Sequence, residues 1–431
     1  MVQAKKPARF ALDSERIQLP NGLTLLLSEN HSTPSVAIYA VVKAGSRFEK
    51  DDQAGLAALA AEMIDEGTAT RSAEQIANTI DSLGGRLATY GDYESADVAL
   101  QLLAKDAAIG LEITADLLTT PTFPNDKLDL QINRRAAQIR SRLDVPRTLA
   151  SDIFNEIVFE GTPQHRPPVG YEPTVKKLVR SDFIEFYRKH YLPSRAILAV
   201  AGDIDKAAIS SQVVELLEGW SNSGPQEPEP INIPVLQSQP VEKFVNAPKE
   251  QVNIFIGHVG IDRGNPDYYA LQVMDIILGS SPGFTSRIPR ILRDEQGLAY
   301  STFANISSSA GVDPGRFIAY IGTSPENLGR AIGGIRSEIA RMVEEPVSIE
   351  ELETAKAYLT GSFVFRFQKN AQVAEFMVEA ELYGLGFDYP ERYPEIIRSI
   401  TVDDVTRATR KYLHPDRLTT VVVGPVETLN S

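Results

Sequence analysis

One pattern occurs twice in this chain and constrains its fold more than any other feature. In the first copy Ser181-Asp182 opens a helix pattern ending at Lys189-His190-Tyr191-Leu192-Pro193, followed by Arg195, the apolar run Ala196 to Ala201 and Gly202-Asp203. In the second, Thr401-Val402-Asp403-Asp404 opens a helix pattern ending at Lys411-Tyr412-Leu413, followed by His414-Pro415, Arg417, the apolar run Leu418 to Val423 and Gly424. Tyr191 and Tyr412 are 221 positions apart, and the pairs Arg195/Arg417 and Gly202/Gly424 are each 222 apart. The beginnings of the two halves correspond as well. The β-rich runs Ser35 to Val42 and Gln251 to Gly257 each precede an apolar helix pattern, Gly55 to Asp65 and Tyr268 to Leu278. A recurrence in the same order over this span implies duplication of a whole domain.

The runs of strand character are short, and long helix patterns such as Ala104 to Leu118 and Lys127 to Leu143 separate them. The expected fold class is therefore α+β, two homologous domains that each pack a mixed or antiparallel sheet with helices. A length of 431 residues is enough for two such cores. Between them, Ser221 to Pro248 holds Pro225, Pro228, Pro230, Pro234, Pro240 and Pro248 and reads as an extended connector. The expected division is 1–220, a proline-rich linker at 221–248, and 249–431.

Charge and composition exclude several classes of function. A formal net charge of −14 without any long run of Lys and Arg argues against nucleic-acid and anionic-membrane partners. With no cysteine, disulfides, thiolate catalysis and cysteine-bound zinc are ruled out. No apolar stretch reaches the roughly 18 residues of a membrane span, so no membrane insertion is expected. Met1 to Phe10 has basic residues with no apolar core behind them, which is not a signal-peptide pattern. A soluble chain of the bacterial periplasm or cytoplasm is expected, with the compartment open.

A hydrolytic zinc site needs about three His, Glu or Asp ligands, commonly two of them one helical turn apart, and a carboxylate base. The histidines are His31, His165, His190, His258 and His414, and no two lie within five residues of each other. His190 and His414 fall at helix C-termini, where a partly cationic ring suits the dipole. No Gly-x-Ser-x-Gly elbow is present, and Gly84-Gly85 and Gly279 to Gly283 lack the spacing that cradles phosphates. Phe363, Phe365 and Phe367 read as strand or core packing, and Glu344-Glu345 and Glu350-Glu351 as solvated charges at helix ends. From the residues alone, the chain is a two-domain protein without a recognisable catalytic centre.

Several segments nevertheless resemble the pitrilysin and mitochondrial processing peptidase family of zinc peptidases. Lys43-Ala44-Gly45-Ser46-Arg47-Phe48-Glu49, Gly55-Leu56-Ala57, Glu62-Met63 and Glu66-Gly67-Thr68 stand in family order. So do Leu83-Gly84-Gly85, Lys105-Asp106, Leu143-Asp144 with Pro146, and Gly297-Leu298-Ala299-Tyr300-Ser301, which extends the resemblance over essentially the whole chain. Active members carry an inverted His-x-x-Glu-His motif. With Gly55 and Met63 as anchors, its first zinc histidine falls on Ala58, its catalytic glutamate on Ala61 and its second histidine on Glu62, and the distal glutamate ligand falls on Gln138. The resemblance thus implies no metal and no catalytic residue in this chain. It also implies a substrate-binding pair, Arg293 and Tyr300, seven residues apart as in active members, where two such donors suit a carbonyl oxygen.

Small bacterial members of this family work as heterodimers of one zinc-bearing and one zinc-free subunit. The resemblance accordingly implies a non-catalytic, substrate-binding subunit of a zinc metalloendopeptidase that cleaves peptides. Its partner would be a homologous catalytic subunit holding the zinc. The alternatives are a scaffold subunit with no part in peptide hydrolysis and a stand-alone enzyme of different chemistry.

Overall fold

The computed structural model describes residues 12–222, 231–281, 285–299 and 301–425. Each half builds one sheet. In the first, β1 (Ser14–Gln18), β2 (Thr24–Glu29), β3 (Ser35–Val42), β4 (Arg86–Gly91), β5 (Ala96–Leu103) and β6 (Ala196–Gly202) take the order β1-β2-β6-β3-β5-β4. In the second, β7 (Val241–Asn246), β8 (Val252–Val259), β9 (Ser301–Asn305), β10 (Arg316–Thr323) and β11 (Thr419–Gly424) take the order β7-β11-β8-β10-β9. In both, the last strand of the half lies inside the sheet, parallel to one neighbour and antiparallel to the other. The fold is therefore the α+β duplication that the repeat implies.

The pairing register matches the halves residue by residue. Asp97 lies opposite both Val41 and Tyr90, and Ile318 lies opposite both Gly257 and Asn305. Tyr39 pairs with Ala99 as Phe255 pairs with Tyr320. The paired helices that end each half, Arg180–His190 and Val402–Tyr412, deliver β6 and β11 at equivalent places. The second of these starts at Thr401, whose hydroxyl accepts from the Asp404 amide at 3.1 Å while the Asp404 carboxylate accepts from the Thr401 amide at 3.0 Å.

One face of each sheet meets its own half's helices. Val36, Ile38 and Val42 of β3 bury against Leu111 and Leu117, and Ile254 and Ile256 of β8 against Leu271 and Ile335. The opposite face is covered by a helix from the other half. Pro146–Val158 lays Ala150, Phe154 and Val158 on Phe255, Val421 and Val423 of the second sheet. Asn370–Leu382 lays Ala374 and Val378 against Ala37, Val41 and Ala201 of the first. This exchange joins the halves through apolar cores, and Asn370 adds hydrogen bonds of 3.0 Å to the carbonyl and hydroxyl of Ser35.

Three local expectations differ from the structure. Within the expected linker 221–248, Val241–Asn246 is the edge strand β7 of the second sheet. It occupies the proline-free stretch between Pro240 and Pro248, and an edge position tolerates the flanking prolines; residues 223–230 lie outside the described part. Phe363 and Phe367 pack in the core as expected, but on a 3-10 helix rather than a strand, and Phe365 is exposed because the spacing of four governs burial there. Glu351 is no solvated terminal charge. It caps its helix with Ser348 and accepts from Nε and Nη2 of buried Arg287 at 2.7 and 2.9 Å.

Candidate functional site

Ala58, Ala61 and Glu62 share the helix Leu56–Met63, which follows Gly55 in a left-handed turn (φ +99). Close approach of Val169 and Gly170 backbone there leaves no room for a side chain. The Glu49 carboxylate accepts the amide hydrogens of Gly55 (3.1 Å) and Ala57 (2.5 Å) and so anchors the helix N-terminus. Burial pushes the Glu49 carboxyl up to about 8, against the opposing pull of those amides and of Arg166 and Arg135.

Ala58 and Ala61 are buried, because the helix sits directly on the edge strand β4. A Cβ added to Gly91 of β4 would lie 2.8 Å from the Ala58 Cα and 3.0 Å from the Ala61 Cβ. The helix face on which the resemblance places the metal ligands is therefore closed by two methyl groups and a glycine.

Glu62 is half-exposed, and its carboxylate receives a hydrogen bond from the Arg135 guanidinium. Arg135 is buried on the helix Asn125–Leu143, one turn before Gln138, which is exposed. A fixed positive charge therefore holds the carboxylate that stands nearest to a ligand position. Alanine offers no donor atom, an exposed amide is a poor ligand, and Glu62 is already neutralised by a cation. This donor set does not fit zinc. Among the described residues no group of three His, Asp, Glu or Cys side chains could hold a metal ion. Arg135 was not singled out from the sequence. Its position three residues before Gln138, on the same helical face, was the available signal.

The scattered histidines are used elsewhere. His258 is buried and held down to about 4 by burial, with Nδ1 2.7 Å from the Val259 carbonyl and Nε2 accepting the His414 amide at 3.1 Å. His414 is also kept below its ordinary value by burial, so it is not the partly cationic ring expected at a helix end. His190 is buried and stacks on Phe48, with centroids 5.3 Å apart. His31 lies 2.6 Å from Asp203 at the surface.

In the second half, Arg293 lies on Pro289–Glu295, a π-helical segment. Its wide turns show in the bonds from the Gln296 amide to the Ile291 carbonyl (3.1 Å) and from Leu298 to Leu292 (2.8 Å). Leu292 anchors the segment in the core while the Arg293 side chain is partly exposed, with Nε 3.9 Å from the Asp294 carboxylate. Tyr300 lies outside the described residues, and β9 begins immediately after it at Ser301. Arg293 belongs to the second half of the chain and the Glu62–Arg135 pair to the first.

Two family models match the chain in tandem, meeting inside the first half, and the second continues across the connector between the halves. Residues 24–167 match the insulinase (peptidase family M16) domain and residues 177–359 the peptidase M16 inactive domain. The chain belongs to peptidase family M16. It is 28% identical over 417 residues to an uncharacterised zinc protease of Rickettsia bellii, covering 95% of this chain and 97% of the relative. An uncharacterised zinc protease of Bacillus subtilis is 25% identical over 354 residues, covering 82% of this chain and 84% of the relative. Among solved structures, the M16 inactive domain from Pseudomonas fluorescens superposes with a TM-score of 0.88 at 24% identity, covering 96% of this chain and 98% of that one. A protease from Helicobacter pylori gives a TM-score of 0.88 at 18% identity, over 96% of this chain and 99% of that one. This M16 chain keeps the family fold, and Ala58, Ala61, Glu62 and Gln138 stand at the positions that the resemblance assigns to the zinc motif.

Proposed function

We propose that this M16 chain is the substrate-binding, non-catalytic subunit of a heterodimeric zinc peptidase whose partner, a homologous chain, holds the zinc. The observation that carries the reading is the Glu62–Arg135 ion pair beneath a helix face closed by Ala58 and Ala61. A site in decay would leave a stranded carboxylate, whereas here a buried guanidinium compensates it. The chain keeps features that serve binding. Arg293 presents a guanidinium from a wide helical turn, and Tyr300 directly precedes an edge strand. Each sheet ends in a strand paired on one side only, β4 and β9, whose outer backbone groups match an extended peptide. Arg293 and Tyr300 would donate hydrogen bonds to the peptide backbone near the scissile carbonyl in the partner's site.

The test is kinetic. Arg293→Ala and Tyr300→Phe should each lower turnover of the reconstituted pair by on the order of a hundredfold, the cost of one lost transition-state donor. Zinc should be absent from the purified chain and present in the pair. Unchanged turnover in both variants would instead assign the chain a scaffold role, and stoichiometric zinc in the chain alone would overturn the reading.

A further inference from the structure

Where Pro146–Val158 crosses the second sheet it leaves a crevice of about 390 Å³, and the crevice is cationic. Arg147, Thr148 and Ser151 line it from the helix, and Phe303, Asn305 and Arg316 from the sheet. In a chain of net charge −14 this concentration of guanidinium groups is an exception. Arg142, at its margin, is matched by Asp152, which takes two of its hydrogens at 3.1 and 2.6 Å. Neither of the other two arginines has a carboxylate within ion-pair distance among the described residues. Arg147 is exposed and rests on aromatic faces, 4.3 Å from the Tyr320 centroid and 5.6 Å from that of Phe303. Arg316 gives one arm to the neutral amide of Asn155, and its buried Nε has no acceptor. Burial holds the Arg316 guanidinium below its usual value, against a weaker opposing pull from Asp152.

The crevice lies beside the edge strand β9. Phe303 and Asn305 alternate along it and face the crevice, while its outer side is unpaired in the sheet. An extended peptide added along β9 would direct alternate side chains to this same face, because side chains alternate across a sheet with a period of two. We infer that the Arg147–Arg316 crevice is an oxyanion subsite that takes a carboxylate of the bound peptide, either an acidic side chain or the free C-terminus. The inference rests on the peptide-binding reading above and names the substrate chemistry that reading leaves open. Arg147 supplies a charged fork at the mouth, Arg316 a second guanidinium at the wall, and Thr148 and Ser151 hydroxyls that accept or donate.

Fluorescence anisotropy on the full chain tests it with three labelled peptides of one neutral sequence. One ends in an amide, one in a free carboxylate, and one in an amide with a single internal glutamate. A carboxylate-bearing peptide should bind at least about tenfold more tightly than the plain amide, the scale of one charge-assisted contact. Which of the two gains identifies the source of the carboxylate. Arg147→Gln, an exposed change, should abolish the gain and leave binding of the plain amide unaltered. Arg316→Gln should do the same in protein whose circular dichroism and melting point match the parent. Equal affinity for all three peptides, or a gain that survives Arg147→Gln, overturns the subsite and leaves the peptide-binding reading standing. Failure of every peptide to bind overturns both.

Discussion

The exchanged helices cover equivalent faces of the two sheets, yet the gaps they leave have opposite character. Beneath Asn370–Leu382 in the first half, a cavity of about 590 Å³ is lined by Tyr39, Tyr90 and Asp97, with Glu375 and Glu379 of the helix. The register-equivalent positions in the second half are Phe255, Asn305 and Ile318, and the helix above them brings Arg147. Asp97 accepts hydrogen bonds of 2.6 Å from Ser95 and from Tyr39, and burial pushes its carboxyl up to about 6. Strand pairing and apolar alternation hold the duplicated backbone in place.

The buried arginines extend the comparison. Two of them, one from each half, meet a carboxylate from a neighbouring element: Arg135 with Glu62 and Arg287 with Glu351. The second pair is bidentate and Glu351 also caps its helix, whereas a single hydrogen bond joins Arg135 to Glu62. Glu351→Ala should therefore be the more damaging, with a loss of about 3 kcal/mol in denaturant unfolding. Glu62→Ala should cost about 2 kcal/mol, since it leaves the Arg135 guanidinium buried without its direct partner. Equal losses, or a reversed order, would break the contrast.

Gly91→Ala sharpens it from the backbone side. The new methyl would meet the Ala58 Cα at 2.8 Å, and the helix must lift from β4 at a cost of about 1 kcal/mol or more. Gly84→Ala, where no atom lies within 4 Å but φ is +64, isolates the conformational cost for comparison.

The smallest effect is in the response to pH. Glu49 and Asp275, one in each half, are pushed by burial to about 8 and about 7. Between about pH 4.5, where the unfolded carboxylates ionise, and these raised values, the folded chain holds protons that the unfolded chain has released. The unfolding free energy should fall as pH rises from 6.5 to 8. Glu49→Gln should flatten that slope, and a denaturation midpoint that rises across the window in the parent protein would contradict it. At the acid end the sign is opposite. Glu351, held near 2 chiefly by Arg287 against its own burial, contributes stability above about 4.5 that is lost as pH falls towards 2.

Much of the architecture is legible along the chain. Ser35–Val42 is a strand with the expected bounds, Asn125–Leu143 begins two residues before the expected helix, and β6 and β11 fall on the two apolar runs of the repeat. Local periodicity specifies these elements because each buries a face whatever it packs against. The loss of the metal donors is equally local, since alanine at 58 and 61 lacks ligand atoms in any fold.

What the sequence by itself determined is thus the duplication, the kinds of element and the chemistry missing from the motif. The tertiary structure alone decided which sheet each apolar face covers. Pro146–Val158 has the same amphipathic pattern whether it stays in its own half or crosses to the other, and only packing sent it across. The same holds for the pairing of Glu62 with Arg135, 73 positions away, and for the two unmatched arginines of the second crevice. Periodicity records which residues are buried, and the partner of a buried charge is set by where the chain returns in space.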